Sequence, residues 1–174
     1  MAFSVTEFKS NLKQGGARPS LFKVDLLYPS GVTNPPTRSE FLVRASSLPA
    51  SNIGTHEVFF HGKSIKIAGD RTIGEWPITC YNDTNFKLRN AFERWQNGIN
   101  NMTDNEGLSN PVDYQVDAFV DQLDRNGNTL KSYTLRGAFP VEVGAIDLNY
   151  GTNDEVETFG VTFQYQYFET NTTT

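Results

Sequence analysis

The sequence predicts a mainly β domain, a β-sandwich or barrel of about seven or eight strands with one α-helix packed on it. Three observations carry that prediction. Period-two alternation is clearest in NDEVETFGVTFQYQYFE (153–169), where Phe159, Val161, Phe163, Tyr165 and Tyr167 share one parity. Thr158, Gly160, Thr162, Gln164 and Gln166 hold the other parity. Phe and Tyr are plentiful, at 13 and 7, while hydrophobic residues total only 37%, a mix that suits half-buried pleated surfaces. Only one stretch of any length, 83–98, has a convincing helical period.

The 174 residues fit one domain with arms. Residues 1–20 read as an N-terminal arm, 21–169 as the β domain and 170–174 as a flexible tail. Within the arm, SVTE (4–7) fits a capping box, and Val5, Phe8 and Leu12 share a short helical face before QGGARPS breaks it. LFKVDLLY (21–28) predicts a first strand, and PSGVTNPPTRS a loop. EFLVRASSLPA (40–50) predicts a second strand that ends at a proline.

THEVFFHGKSIKIAGD predicts a hairpin over 53–70. With His61-Gly62 as the turn, Phe60 faces Lys63, Val58 faces Ile65, His56 faces Ile67, and Glu57 faces Lys66 on the other side. Phe59 and Phe60 then point to opposite faces. TIGEWPITCY (72–81) is a strand that Pro77 consigns to an edge or bulge. The helix DTNFKLRNAFERWQNG takes Asp83 or Thr84 as its cap. Leu88, Phe92, Trp95 and Ile99 form its core stripe, with Gly98 at its end. YQVDAFVDQL and TLKSYTLR flank Asn126-Gly127, whose two-residue turn sets Leu123 beside Leu130, Val120 beside Tyr133, and Asp117 beside Arg136. VEVGAIDLNY (141–150) and a long strand over 156–168 close the chain, joined by GTNDE. At about 3.3 Å per residue that last strand would run about 43 Å, well beyond the usual length.

Charge divides unevenly along the chain. Residues 1–100 carry 12 Lys/Arg against 8 Asp/Glu (+4), and residues 101–174 carry 3 against 12 (−9). Such asymmetry suits head-to-tail contact between copies. No catalytic, metal or cofactor site emerges. His56 and His61 sit five apart on a hairpin without a third ligand, and QLDRNGN has Gln122 and Tyr133 where a calcium loop needs carboxylates. Asp121 and Asp124 fall on opposite strand faces, and no phosphate-binding or nucleophile motif occurs. Basic residues are scattered, with Lys63, Lys66 and Arg71 the one local group, which argues against a phosphate-tracking groove. The single cysteine, Cys80, excludes an internal disulfide, and the start lacks the apolar core of a signal peptide. With no membrane-length apolar run, these features predict a soluble intracellular product that contacts other proteins.

Segment order then carries a resemblance. SSLPASNIGTHEVFFHGKSIKIAGDRTIGEWPITCYNDTNFKLRNAFERWQNGIN (46–100) and LRGAFPVEVGAIDLNYGTNDEVETFGVTFQYQYFE (135–169) resemble the tail tube proteins of contractile-tailed bacteriophages. The resemblance covers residues 3–169 and rests on the order and spacing of its parts. It implies a β-sandwich related to the secreted tube proteins of type VI secretion, acting as a structural virion protein and not as an enzyme. Six copies would form a ring, and rings would stack into a hollow tube assembled in the host bacterial cytoplasm. Its partners would be other copies, the sheath, baseplate, tape measure and tail terminator proteins. Phage DNA would pass through the lumen unbound, and the subunit would bind no membrane and no cofactor. The tube of a phage-derived contractile particle or secretion system is the alternative, and a monomeric β-sandwich binding module the third reading.

On that reading Asp113, Asp117, Asp121, Asp147, Asp154, Glu155 and Glu157 are candidates for an acidic lumen wall that repels phosphate. Phe3, Phe8 and Arg18 in the arm, with Glu57, Phe59, Phe60, Lys63, Lys66 and Arg71 in the hairpin, are candidates for contacts between rings or subunits. The loop 29–39 belongs with them. Thr158, Thr162, Gln164 and Gln166 are candidates for a strand shared between subunits, because a long open edge is otherwise a liability.

Overall fold

A computed structural model describes residues 4–12, 16–37 and 39–173. It contains α1 (Val5–Asn11), β1 (Phe22–Leu26), β2 (Val43–Ser46), β3 (Ser51–Phe60), β4 (Lys63–Ile73) and β5 (Trp76–Tyr81). Then follow α2 (Lys87–Ile99), α3 (Pro111–Tyr114), β6 (Val116–Leu123), β7 (Thr129–Val143), β8 (Thr158–Gln164) and β9 (Tyr167–Thr170). The architecture is mainly β, as predicted. Seven strands form one antiparallel ladder in the order β1-β6-β7-β8-β5-β2, with β9 pairing off β7, while β3 and β4 form a separate hairpin.

The ladder folds along β7 into two leaves. Residues up to Ala138 pair with β6, and Tyr133–Arg136 also pair with β9; Phe139–Val143 pair with β8. Gly137, at φ +64, lies at the bend. The following strand makes the same crossing between β8 and β9, where the Gln166 N–H donates to the Arg136 carbonyl at 2.9 Å. Inward side chains of both leaves meet in one core: Val24, Leu26, Ala118, Val120 and Leu135 from the first, and Trp76, Ile78, Cys80, Phe159, Val161 and Phe163 from the second.

Helix α2 closes this core. Leu88, Ala91, Phe92 and Trp95 are buried, and Ile99 is half-buried. Phe92 packs edge-on against Phe159 and Phe163, with centroids 6.4 and 5.7 Å away. The helix begins at Lys87 and not at 83, because Asp83–Phe86 form a turn and Phe86 takes φ +53; Asp83 still accepts the Lys87 N–H at 2.9 Å. Gly98 lies inside the helix, which runs on to Ile99.

Several boundaries differ from the sequence reading for identifiable reasons. Residues 39–41 form a 3-10 turn, so β2 is short. Pro77 belongs to an interior strand, beyond the last rung that β5 makes with β2 at Ser46↔Ile78. The β6–β7 connection is wider than a two-residue turn: Asp124 and Gly127 close it, and only Gly127 takes positive φ. Val120↔Tyr133 is the expected pair, but a bulge sets Leu123 opposite Thr129. Residues 129–143 form one continuous strand, and 144–157 is a loop. The 156–168 strand is divided at 165–166, and its parity flips there: Tyr165 is buried, Tyr167 exposed and Phe168 turned to the core.

Candidate assembly surfaces

The hairpin β3–β4 stands apart from the ladder. His61 and Gly62 both take left-handed φ, +47 and +80, as a type I′ turn requires. The register has the anticipated pairs Phe60↔Lys63, Val58↔Ile65, His56↔Ile67 and Glu57↔Lys66, the last bridged at 3.6 Å. One face therefore carries Val58, Phe60, Ile65 and Ile67, all exposed. Phe59 lies on the other face and is 76% exposed. A bulge at Gly54 bends the ribbon, and a Cβ at Gly69 would stand 3.2 Å from the Gly54 carbonyl oxygen. A two-stranded ribbon with a bare apolar face is marginal in water, so its length and composition point to cover from another molecule.

The arm presents a second apolar surface. Ser4 caps α1 by accepting the Thr6 N–H at 3.2 Å, and Val5, Phe8 and Leu12 are exposed. Phe3 lies outside the described residues. Arg18 is exposed, and its carbonyl accepts from the Gln122 side chain at 2.6 Å, fastening the arm's exit to β6. Lys63, Lys66 and Arg71 are exposed along β4.

The seven acidic candidates are divided among α3, β6 and the 144–157 loop. Asp117 and Asp121 occupy the outward face of β6; Asp117 pairs with Arg136, and Asp121 accepts from the Ser132 hydroxyl at 2.6 Å. Arg136 also reaches Glu169 at 2.7 Å, so one guanidinium links β6, β7 and β9. Those bonds, to Glu169 and then Asp117, hold its charge more firmly than usual. Asp113 is exposed on α3. Asp147, Asp154 and Glu155 project from the 144–157 loop, while Glu157 accepts from the Asn82 amide at 2.6 Å.

Strand β8 is not an open edge. It pairs with β5 over Thr158–Phe163 and with β7 over Val161–Gln164. Thr162 thus has a ladder neighbour on both sides, which corrects the strand-sharing role foreseen for it, while Thr158 pairs with β5 alone and Gln164 with β7 alone. Gln166 lies at the corner between β8 and β9, and its N–H is spent on Arg136. The physical reason is the fold of β7, whose second half takes the side of β8 that β5 leaves free. Single-neighbour edges are instead β1, β2 and β9, together with both outer edges of the hairpin, among the described residues.

Two surfaces were placed only in part by the sequence, which marked the 29–39 loop for contact but neither its helix partner nor the exposed apolar pair of the 144–157 loop. The 144–157 loop exposes Leu148 (85%) and Tyr150 (fully), side chains the alternation of 141–150 had assigned to a strand. Beside α2, a groove of about 810 Å³ is lined by Pro35, Pro36, Phe41, Leu42, Lys87 and Arg94. The signal for the groove was a proline pair facing a helix flank, which no local pattern joins.

Cys80 is buried, and desolvation pushes its thiol up to about 12, which makes it a poor nucleophile. Among the described residues, no group of three or more His, Cys, Asp or Glu is placed to hold a metal ion.

Comparison with known proteins agrees with this geometry. The phage tail tube protein family matches residues 17–171. The tail tube protein gp19 of Enterobacteria phage T4 is 32% identical over 154 residues, covering 88% of this chain and 91% of the relative. The tail tube protein of Serratia phage KSP90 is 31% identical over 170 residues, covering 95% of each. Among solved structures, a chain of the anti-feeding prophage tube-terminating cap superposes with a TM-score of 0.66 at 17% identity, over 98% of this chain and 95% of that one. A chain of the sheath-tube complex of the extracellular contractile injection system PVC does so at 0.63 and 12% identity, over 98% and 99%. The fold is thus shared with contractile injection machines, and by its sequence this chain belongs to the phage tail tube protein family.

Proposed function

We propose that, as a structural subunit of a phage tail tube, this chain closes into six-membered rings that stack into a hollow tube, through which phage DNA leaves the virion. The observation that carries the stacking is the β3–β4 hairpin, which pairs only with itself and leaves Val58, Phe60, Ile65 and Ile67 uncovered. Seating it on a neighbour removes apolar surface from water. The apolar face of α1 serves the same contact. Heterologous interfaces of this kind close into rings in one direction and extend filaments in another.

Support for an acidic lumen wall comes from Asp117 and Asp121, which share an outward strand face. A negative wall lets a polyanion slide without the counterion release that drives binding. The tube-cap, sheath-tube and baseplate assemblies of the structural relatives support sheath, baseplate and terminator as further partners, while a tape measure protein and assembly inside the host cell belong to the same proposal.

Negative-stain electron microscopy and light scattering of the purified chain test the proposal. Hollow tubes or six-fold rings are expected, alone or on an added baseplate. A chain that stays at 19.5 kDa when concentrated and when offered a baseplate would overturn it.

A further inference from the structure

The exposed loop and the groove described above are opposite in charge, and they lie on opposite flanks of one helix. Lys87, Asn90 and Arg94, spaced three and four apart, border the groove. Arg89 and Glu93 form the other flank, where the Arg89 guanidinium donates to the Gly144 carbonyl at 3.0 Å, at the root of the loop. The buried stripe Leu88, Ala91, Phe92 and Trp95 separates the two. Leu148 and Tyr150 are not docked on their own subunit.

Residues 144–157 hold four acidic side chains and no basic one. Among the described residues, the groove is lined by two basic side chains, Lys87 and Arg94, and no acidic one, with apolar Pro35, Pro36, Phe41 and Leu42 interleaved with polar Asn and Thr. Arg94 also donates to the Thr33 carbonyl at 2.8 Å. A loop of this length without secondary structure is usually either functional or a linker, and Tyr is among the side chains enriched at interface hot spots.

We propose that the 144–157 loop of one copy seats Tyr150 and Leu148 in the Pro35–Phe41 groove of the next copy, with Asp154 and Glu155 facing Lys87 and Arg94. Because the donor and acceptor surfaces are different and lie on opposite flanks of α2, the contact passes head to tail and propagates around a ring. This inference rests on the tube reading and names the surface that joins neighbours within one ring. It assigns Asp154 and Glu155 to that joint and leaves Asp117 and Asp121 to the wall.

The full chain with Tyr150→Cys and Asn90→Cys, in a Cys80→Ala background, tests it by oxidation and non-reducing electrophoresis. A ladder of cross-linked multimers is expected from the double variant, and dimers at most from either single variant. A second measurement reverses charge. Lys87→Glu with Arg94→Glu should raise the concentration needed for assembly about tenfold, and adding Asp154→Lys with Glu155→Lys should restore it. Circular dichroism confirms that each variant is folded. Tubes that form normally from the Lys87→Glu, Arg94→Glu chain, or assembled double-cysteine chains without a ladder, would overturn the contact and leave the tube reading standing. Native chains that never form rings or tubes would overturn both. Cross-linking of the cysteines to sheath protein, in preference to a second copy, would assign the loop to the tube exterior and overturn this inference alone.

Discussion

The indole N–H of Trp95 donates to the main-chain carbonyl of Tyr114 at 2.8 Å, tying the last turn of α2 to the short helix that leads into β6. Trp95 is buried, and its ring meets Phe163 edge-on at 6.1 Å. Trp95→Phe keeps an aromatic ring but strands that carbonyl and opens a small void. A loss of about 1–3 kcal/mol is expected, seen as a lower urea midpoint with an unchanged slope.

Gly137 turns β7 from one leaf to the other at φ +64, and a Cβ there would lie 3.1 Å from both Gln115 Oε1 and Gln166 Cγ. Gly137→Ala should therefore destabilise the fold by about 1–3 kcal/mol. Gly98, inside α2, is the opposite case, because an added Cβ would meet nothing within 4 Å. Gly98→Ala should stabilise by up to about 1 kcal/mol, so thermal unfolding of the two variants should move in opposite directions.

Phe59 and Phe60 are exposed, at 76% and 66%, on the two faces of the hairpin. Replacing both with Ser should leave the unfolding free energy of the single chain within about 0.5 kcal/mol, because neither is in the core. Sedimentation should nevertheless show assembly strongly weakened. Normal tubes from this variant would remove the hairpin from the stacking contact.

The turn between β6 and β7 is held by the Asp124 carboxylate, which accepts from Asn126 N, Asn128 N and Asn128 Nδ2 at 2.7, 2.8 and 3.1 Å. These bonds, led by the Asn128 side chain, hold its carboxyl below the ordinary 3.8. A depressed folded value means the stabilisation is complete above the ordinary value and is lost as pH falls from there through the lowered one. Amide protection across 124–129 should stay flat from neutral pH to about 4 and fall below it. Asp124→Asn should flatten that profile.

Elements set by local chemistry were legible from sequence. The His61-Gly62 turn fixes the hairpin register rung by rung, and the Leu88, Phe92, Trp95 stripe marks the buried side of α2. What local pattern could not supply was long-range placement. Alternation over 156–168 is continuous, yet the chain changes leaves at 165–166 because β7 bends beside it, and no residue within the strand announces that bend. For the same reason β8 read as an open edge: its second neighbour is the far half of a strand about twenty residues earlier. The groove beside α2 joins a proline loop to a helix flank about fifty residues away, and only tertiary structure brings them together. The acidic residues read as one group in sequence because they cluster late in the chain, but strand and loop divide them.

The double crossing at Gly137 and Gln166 has a mechanical meaning. β7 runs unbroken from one leaf into the other, and β8–β9 follows it around the same corner, joined there by the Gln166 to Arg136 bond. The leaves therefore cannot slide past each other or open like the covers of a book without tearing two adjacent strands together. A push along one leaf is carried into the other through covalent backbone, so each subunit behaves as a rigid staple in whatever wall it helps to build.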